Sequence, residues 1–133
     1  MRFELIDRVL ERGESHLIAV KNVTSAEEYL ADHFPGYPVL PGVLMLETLV
    51  QAGRRLVLGD AGGTAATGRA GARPLVLGEV KNVKYGNMVR PGQTLRVHVT
   101  LKKHGDGVYK FEGSGTVDDQ PAVQGRFSLT ELP

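Results

Sequence analysis

The residues most able to do chemistry sit close together in one segment. His33 and Glu47 stand fourteen positions apart, and Pro35, Pro38 and Pro41 punctuate the stretch between them. Histidine titrates near neutrality and serves as a general base or acid. A carboxyl set in an apolar helix is favoured in its neutral form, the form a general acid requires. Pro41-Gly42 opens the apolar run "GVLMLETLVQAG". If that run is a helix, its first N–H groups have no intrahelical partner and carry the positive end of the dipole. Gly42 has no side chain, so a ligand oxygen can approach its N–H closely. That is a site for a carbonyl oxygen gaining negative charge. A base, an acid and an oxyanion donor are what α-proton abstraction beside a thioester, with loss of a β-hydroxyl, would use.

Residue chemistry alone leaves a plainer reading open. A lone histidine after an aspartate in a loop is commonly a turn residue with a satisfied ring. Glu47, Gln51, Arg54 and Arg55 would then be the solvated stripe of an amphipathic helix.

The elements that must position these groups follow from pattern. Residues 42–58 read as a long buried helix, apolar on nearly all sides, with Glu47, Thr48, Gln51, Arg54 and Arg55 on one narrow polar face. Ser25 with Glu28 forms a capping box and predicts a short helix over about 26–31. Three prolines keep 33–42 from being helix or central strand. Residues 1–13 predict a short strand or helical turn, and "HLIAVKNV" (16–23) a strand. Residues 59–73, dominated by Gly and Ala, predict a loop. Strands are expected at 74–85, 94–102, 108–117 and 122–132. The strand at 94–102 alternates strictly, with Leu95, Val97, Val99 and Leu101 on one face and Arg96, His98, Thr100 and Lys102 on the other. Turns are expected at "GNMVRPGQ", "KHGDG" and "DDQP". An antiparallel sheet with one wet face must bury the other, and the long helix is the element apolar enough to cover it. The fold class is therefore α+β, a curved sheet wrapped round a central helix. So apolar a helix needs more cover than one small sheet gives, and dimerisation with two sheets edge to edge would supply it.

The bounds agree. A chain of 133 residues predicts one domain over 1–133. A net charge of +1 gives no sign of nucleic acid or membrane surface as partner. There is no cysteine, so neither disulfide nor thiolate chemistry is available. The charged start "MRFELIDRVLERGES" does not read as a signal peptide, and a cytoplasmic protein is expected.

"DHFPGYPVLPGVLMLETLVQAG" closely resembles the active-site segment of the β-hydroxyacyl-acyl carrier protein dehydratases, the FabZ/FabA group. The downstream "NVKYGNMVRPGQTL" is similar to a weaker segment of the same family. The resemblance covers most of the chain from Val20 to Leu95 and is most specific over 33–51. It implies a hot-dog fold paired into dimers, with trimers of dimers as a further assembly, and it implies no metal or organic cofactor. It implies that His33 removes the α-proton of a 3-hydroxyacyl thioester carried on acyl carrier protein. Glu47 of the other subunit would protonate the departing hydroxyl. The Gly42 N–H would hold the thioester oxygen, the Val39 carbonyl would orient the His33 ring, and Gln51 would hold the Glu47 carboxyl. The product would be the trans-2-enoyl thioester, in fatty-acid or polyketide-type synthesis.

The chain departs from that pattern in places. Asp32 replaces the glycine usual before the histidine. Gly86, Asn87 and Met88 stand where basic residues and a proline are common, and Gln93 where an aspartate is usual. Carrier protein is acidic, so a basic rim is expected, with Arg54, Arg55, Arg69, Arg73, Lys81, Lys84 and Arg90 as candidates. His16, His98 and His104 lack metal-ligand spacing and receive no role. Two other readings stay open: a hot-dog thioesterase, which needs no obligate histidine base, and a non-catalytic subunit that binds acyl chains or carriers.

Overall fold

The computed structural model describes residues 4–23, 40–59 and 74–132. His33, Asp32, Val39, Arg69, Arg73 and the short helix expected over 26–31 lie outside the described residues. Within them the elements run β1 (Arg8–Arg12), β2 (His16–Asn22), α1 (Gly42–Leu58), β3 (Leu75–Tyr85), β4 (Thr94–Gly105), β5 (Val108–Val117) and β6 (Gln120–Glu131). All six strands join one antiparallel sheet in the order β1-β2-β4-β5-β6-β3.

The expected α+β architecture is present, and the reason is visible strand by strand. On β4, Leu95, Val97 and Val99 are fully buried while Arg96 and His98 are exposed. The period of two puts one set of side chains on the helix side and the other in water. β5 and β6 do the same with Phe111, Phe127 and Leu129, and the Phe111 and Phe127 rings stack at 5.0 Å. Both tight turns have consecutive residues at positive φ, Asp106–Gly107 and Asp118–Asp119, the backbone that two-residue hairpins require. β6 consequently starts at Gln120, before Pro121. That proline faces a register shift opposite Thr116, where a missing N–H is tolerated.

The helix spans the predicted 42–58 and lies across the sheet with Met45, Leu49, Val50, Ala52, Val57 and Leu58 buried. Each such aliphatic side chain contributes roughly 1.5–3 kcal/mol by leaving water. Thr48 departs from the expected polar face. It is fully buried, and its hydroxyl donates to the Leu44 carbonyl at 2.7 Å. Bonding back to its own helix satisfies the hydroxyl without water. The half-buried polar stripe is therefore Glu47, Gln51, Arg54 and Arg55.

Two glycines set how close helix and sheet come. A Cβ on Gly53 would lie 3.0 Å from the Phe127 ring, and one on Gly113 of β5 would lie 3.3 Å from both Leu49 methyls. The segment before β1 is also fixed to this core. Leu5 and Ile6 are buried, and the Asp7 N–H donates to the Val20 carbonyl at 2.9 Å.

β3 is a thinly covered strand. Beyond Leu75 it has no fully buried side chain, Val76 and Leu77 are 39% and 41% exposed, and register shifts at Leu77/Val80 and Lys81/Lys84 interrupt its pairing with β6. It pairs on one side alone among the described residues, which makes it an open edge.

Replacing Gly53 by Val should lower stability by about 1–3 kcal/mol, because the added methyls must displace the Phe127 ring from a packed interior. A urea melt checks this. The midpoint should fall with the slope unchanged, and an unmoved midpoint would show that the ring yields freely.

Candidate active site

The start of α1 carries two N–H groups, of Gly42 and Val43, that bond to no carbonyl of their own helix. Pro41 stands at the N-cap with an extended backbone, φ −59° and ψ 144°, and no side chain caps the helix. The Pro41 carbonyl accepts from the N–H groups of Leu44 and Met45 at 3.0 and 3.1 Å. The N–H groups of Gly42 and Val43 precede the first intrahelical bonds, and no acidic residue lies in the first turn. The positive end of the helix is thus left uncompensated by the helix itself. Its position is set from outside: the Leu40 N–H donates to the Val89 carbonyl at 2.8 Å, tying the start of the helix to the chain after β3.

Gly42 is where the sequence reading expects an oxyanion donor, and the structure adds a neighbour. The Tyr85 ring, at the end of β3, lies over this residue. A Cβ on Gly42 would stand 3.0, 3.2 and 3.3 Å from its Cε1, Cζ and Cδ1 atoms. Tyr85 is 52% exposed, so one face of the ring covers the helix tip and the rest meets solvent. Nothing in the sequence singles out Tyr85. The contact joins residues 43 positions apart, and only the fold brings them together.

Glu47 lies on the half-buried stripe of α1, as does Gln51 one turn later. The Gln51 Nε2 donates to Glu47 Oε1 at 3.4 Å, a long contact of the expected i,i+4 kind. A second bond at the same amide was not foreseen. Gln51 Oε1 accepts from the backbone N–H of Leu5 at 2.8 Å. Of the predicted site residues, then, the structure brings Glu47 and Gln51 into contact. It places Gly42 at the helix tip on the same element, and His33 and Val39 fall outside the described residues.

The departures around residues 86–93 have structural partners. The Gly86 N–H donates to the Ala122 carbonyl at 2.9 Å, and a Cβ there would fall 2.5 Å from the Pro121 carbonyl oxygen. Only glycine fits so close an approach. The Asn87 backbone N–H and side-chain amide both donate to that same Pro121 oxygen, at 2.8 and 2.9 Å. Gln93 Oε1 accepts from the Arg90 N–H at 2.8 Å, while its amide donates to Asp118 Oδ2 at 3.0 Å. Among the described residues there is no cluster of three or more His, Cys, Asp or Glu side chains able to hold a metal ion.

Comparison with known proteins places these residues in context. Residues 1–126 match the FabA-like domain family. The 3-hydroxyacyl-[acyl-carrier-protein] dehydratase FabZ of Granulibacter bethesdensis is 39% identical over 132 residues, covering 98% of this chain and 74% of the relative. FabZ of Oenococcus oeni is 42% identical over 120 residues, covering 89% and 81%. Among solved structures, the dehydratase heterocomplex ApeI:P from Xenorhabdus doucetiae has a TM-score of 0.77 at 18% identity, covering 98% of this chain and 84% of that one. A mouse thioesterase superfamily member 2 has a TM-score of 0.66 at 15% identity, covering 94% and 80%. At such identities the structural likeness is one of fold.

Gly42→Ala should disturb the Tyr85 ring and cost about 1 kcal/mol, and that cost should vanish in a Tyr85→Ala background. A double-mutant cycle of denaturant midpoints checks the coupling; strictly additive effects would show that ring and helix tip are independent.

Proposed function

Because the chain belongs to the FabA-like family of 3-hydroxyacyl-[acyl-carrier-protein] dehydratases, we propose that His33, Gly42 and Glu47 divide the work of removing water from a 3-hydroxyacyl thioester. The reaction is the dehydration step of fatty-acid synthesis, and its product is the trans-2-enoyl thioester. The observation that carries the assignment of roles is the single helix α1, which presents both an uncapped N-terminus at Gly42 and an amide-held carboxyl at Glu47.

The chemistry runs in two linked proton movements. The His33 imidazole takes a proton from C2. The electron pair left behind flows toward the thioester carbonyl, whose oxygen gains charge against the Gly42 N–H. The pair then forms the C2–C3 double bond as the C3–O bond breaks. Glu47 gives its proton to the departing oxygen, and water leaves. The proton count balances: one gained by His33, one lost by Glu47, with the two groups reset through solvent. Val39 supplies a carbonyl to hold the His33 ring, and Gln51 holds the carboxyl. None of these steps calls for a metal or organic cofactor.

The active unit is a homodimer, with His33 of one subunit facing Glu47 of the other. Its support is the open β3 edge, with Val76 and Leu77 substantially exposed, together with the half-buried stripe of α1. Two β3 edges joined would continue the sheet across the pair. A trimer of such dimers would repeat the same paired sites.

The partner is acyl carrier protein. Grooves on the outer sheet face are lined by Lys81, Lys84, Lys102, Lys103, Lys110 and Arg126 against two acids, Glu79 and Glu112. Glu112 meets Lys102 and Arg126 at 3.4 and 3.9 Å, and Glu79 meets Lys81 at 3.2 Å. The surplus of positive charge suits an acidic partner. Of the rim expected from sequence, Lys81 and Lys84 lie here.

Two measurements test the reading. Enoyl-thioester absorbance should appear with wild type and fall by about 10²–10⁴-fold in His33→Ala and in Glu47→Gln, the range for loss of a general acid or base. Mixing those two variants should restore about a quarter of wild-type activity after subunit exchange, since half the dimers would then carry one intact site. Absence of any recovery, with exchange demonstrated, would place both groups in one chain's own site.

A further inference from the structure

The bond between Leu5 and Gln51 has a consequence for the acid. A backbone N–H can only donate, so the atom of Gln51 that faces Leu5 at 2.8 Å is its carbonyl oxygen. The orientation of the side-chain amide is thereby settled, and its NH2 group must point the other way, toward Glu47 Oε1 at 3.4 Å. In the protonated carboxyl that the role of acid requires, the carbonyl oxygen is the better acceptor of an N–H. The hydroxyl oxygen, which bears the acidic proton, is then Oε2.

The donor is itself well fixed. Leu5 and Ile6 are 2% and 5% exposed, so the segment is anchored by burial immediately after the relevant peptide. The next residue is pinned to β2, where Asp7 Oδ2 accepts from the Asn22 N–H at 2.6 Å and lies 3.7 Å from the Lys21 ammonium. Further along, Arg12 Nη1 donates to the Arg55 carbonyl at 3.1 Å, tying β1 to the last turn of α1. The N-terminal segment thus runs along the helix that carries the acid.

We propose that the segment Glu4–Asp7 positions the general acid: the Leu5 N–H orients the Gln51 amide, and that amide fixes Oε2 of Glu47 as the oxygen that delivers its proton to the leaving hydroxyl. Gln51 and Leu5 are positioning residues, acting through Glu47 without touching substrate. This rests on the reading of Glu47 as the acid. The proton leaves Oε2 as the C3–O bond breaks, and the remaining carboxylate keeps the Gln51 N–H on Oε1.

The test compares two leaving groups. A 3-hydroxyacyl thioester needs a proton on the departing oxygen. A 3-fluoroacyl thioester of the same chain length loses fluoride with its electron pair and needs none, while the C2 proton goes to His33 in both cases. In Gln51→Met the ratio of hydroxy to fluoro turnover should fall about tenfold, the worth of one hydrogen bond to a charged group. Leu5→Pro removes the N–H and should lower the ratio likewise. Leu5→Ala keeps the N–H and should change both rates together. A merely structural role would slow the two substrates alike. An unchanged ratio in Gln51→Met therefore overturns the proposal, whether or not Leu5→Pro folds. A wild-type protein inactive on both substrates would instead overturn the dehydratase reading, and this one with it.

Discussion

The start of α1 is held by packing and by the chain around it rather than by a cap of its own, and much of the structure follows from that. The first turn of α1 has neither a capping side chain nor an acidic residue. Capping would stabilise the helix by about 1 kcal/mol and would occupy the donors the site needs. The fixing force comes from the middle of the helix, where Gly53 meets Phe127 and Leu49 meets Gly113. Interiors packed at crystal-like density resist sliding, so contacts one to three turns away set where the tip stands. The Leu40–Val89 bond then fixes the chain entering it. The body of the helix, rather than its end, thus carries the contacts that fix it.

The same division explains what could be read from sequence. Local patterns carried the helix bounds at 42–58 and the alternation of β4, because periodicity is a property of neighbouring residues. Thr48 was misplaced because a hydroxyl looks polar until it bonds to its own helix. β1, the bulges of β3 and the Tyr85–Gly42 contact depend on pairing between distant segments. Of the candidate site, Gly42 and Glu47 stand out by residue type and place in the apolar helix, Gln51 by family resemblance alone, and the structure adds the Gln51–Glu47 contact. The Leu5 N–H was not legible at all. A backbone donor leaves no trace in residue identity, and every non-proline residue has one.

Glu47 lies on a half-buried stripe of α1, with its carboxyl against the Gln51 amide. The stripe of Glu47, Gln51, Arg54 and Arg55 remains partly open in one subunit. A second subunit laid along the β3 edge would narrow that opening. Under the proposed roles, the stripe left open by one chain is the surface on which Glu47 would act.

The unusual residues between β3 and β4 bear on this economy. Gly86 and Asn87 hold the end of β3 onto the start of β6, through the Ala122 and Pro121 carbonyls. Gln93 closes the next turn onto Arg90 and reaches Asp118. These contacts fix the segment that carries Tyr85 at one end and Val89 in its middle, and those two residues are what touch the helix tip. The departures therefore do not loosen the site. They replace charged side chains by amides and a close backbone approach, and hold the same segment with hydrogen bonds that do not vary with salt as surface ion pairs do. A chain can change its surface chemistry here and keep this segment in place, because hydrogen bonds to backbone carbonyls and amides hold 86–93 without a basic side chain.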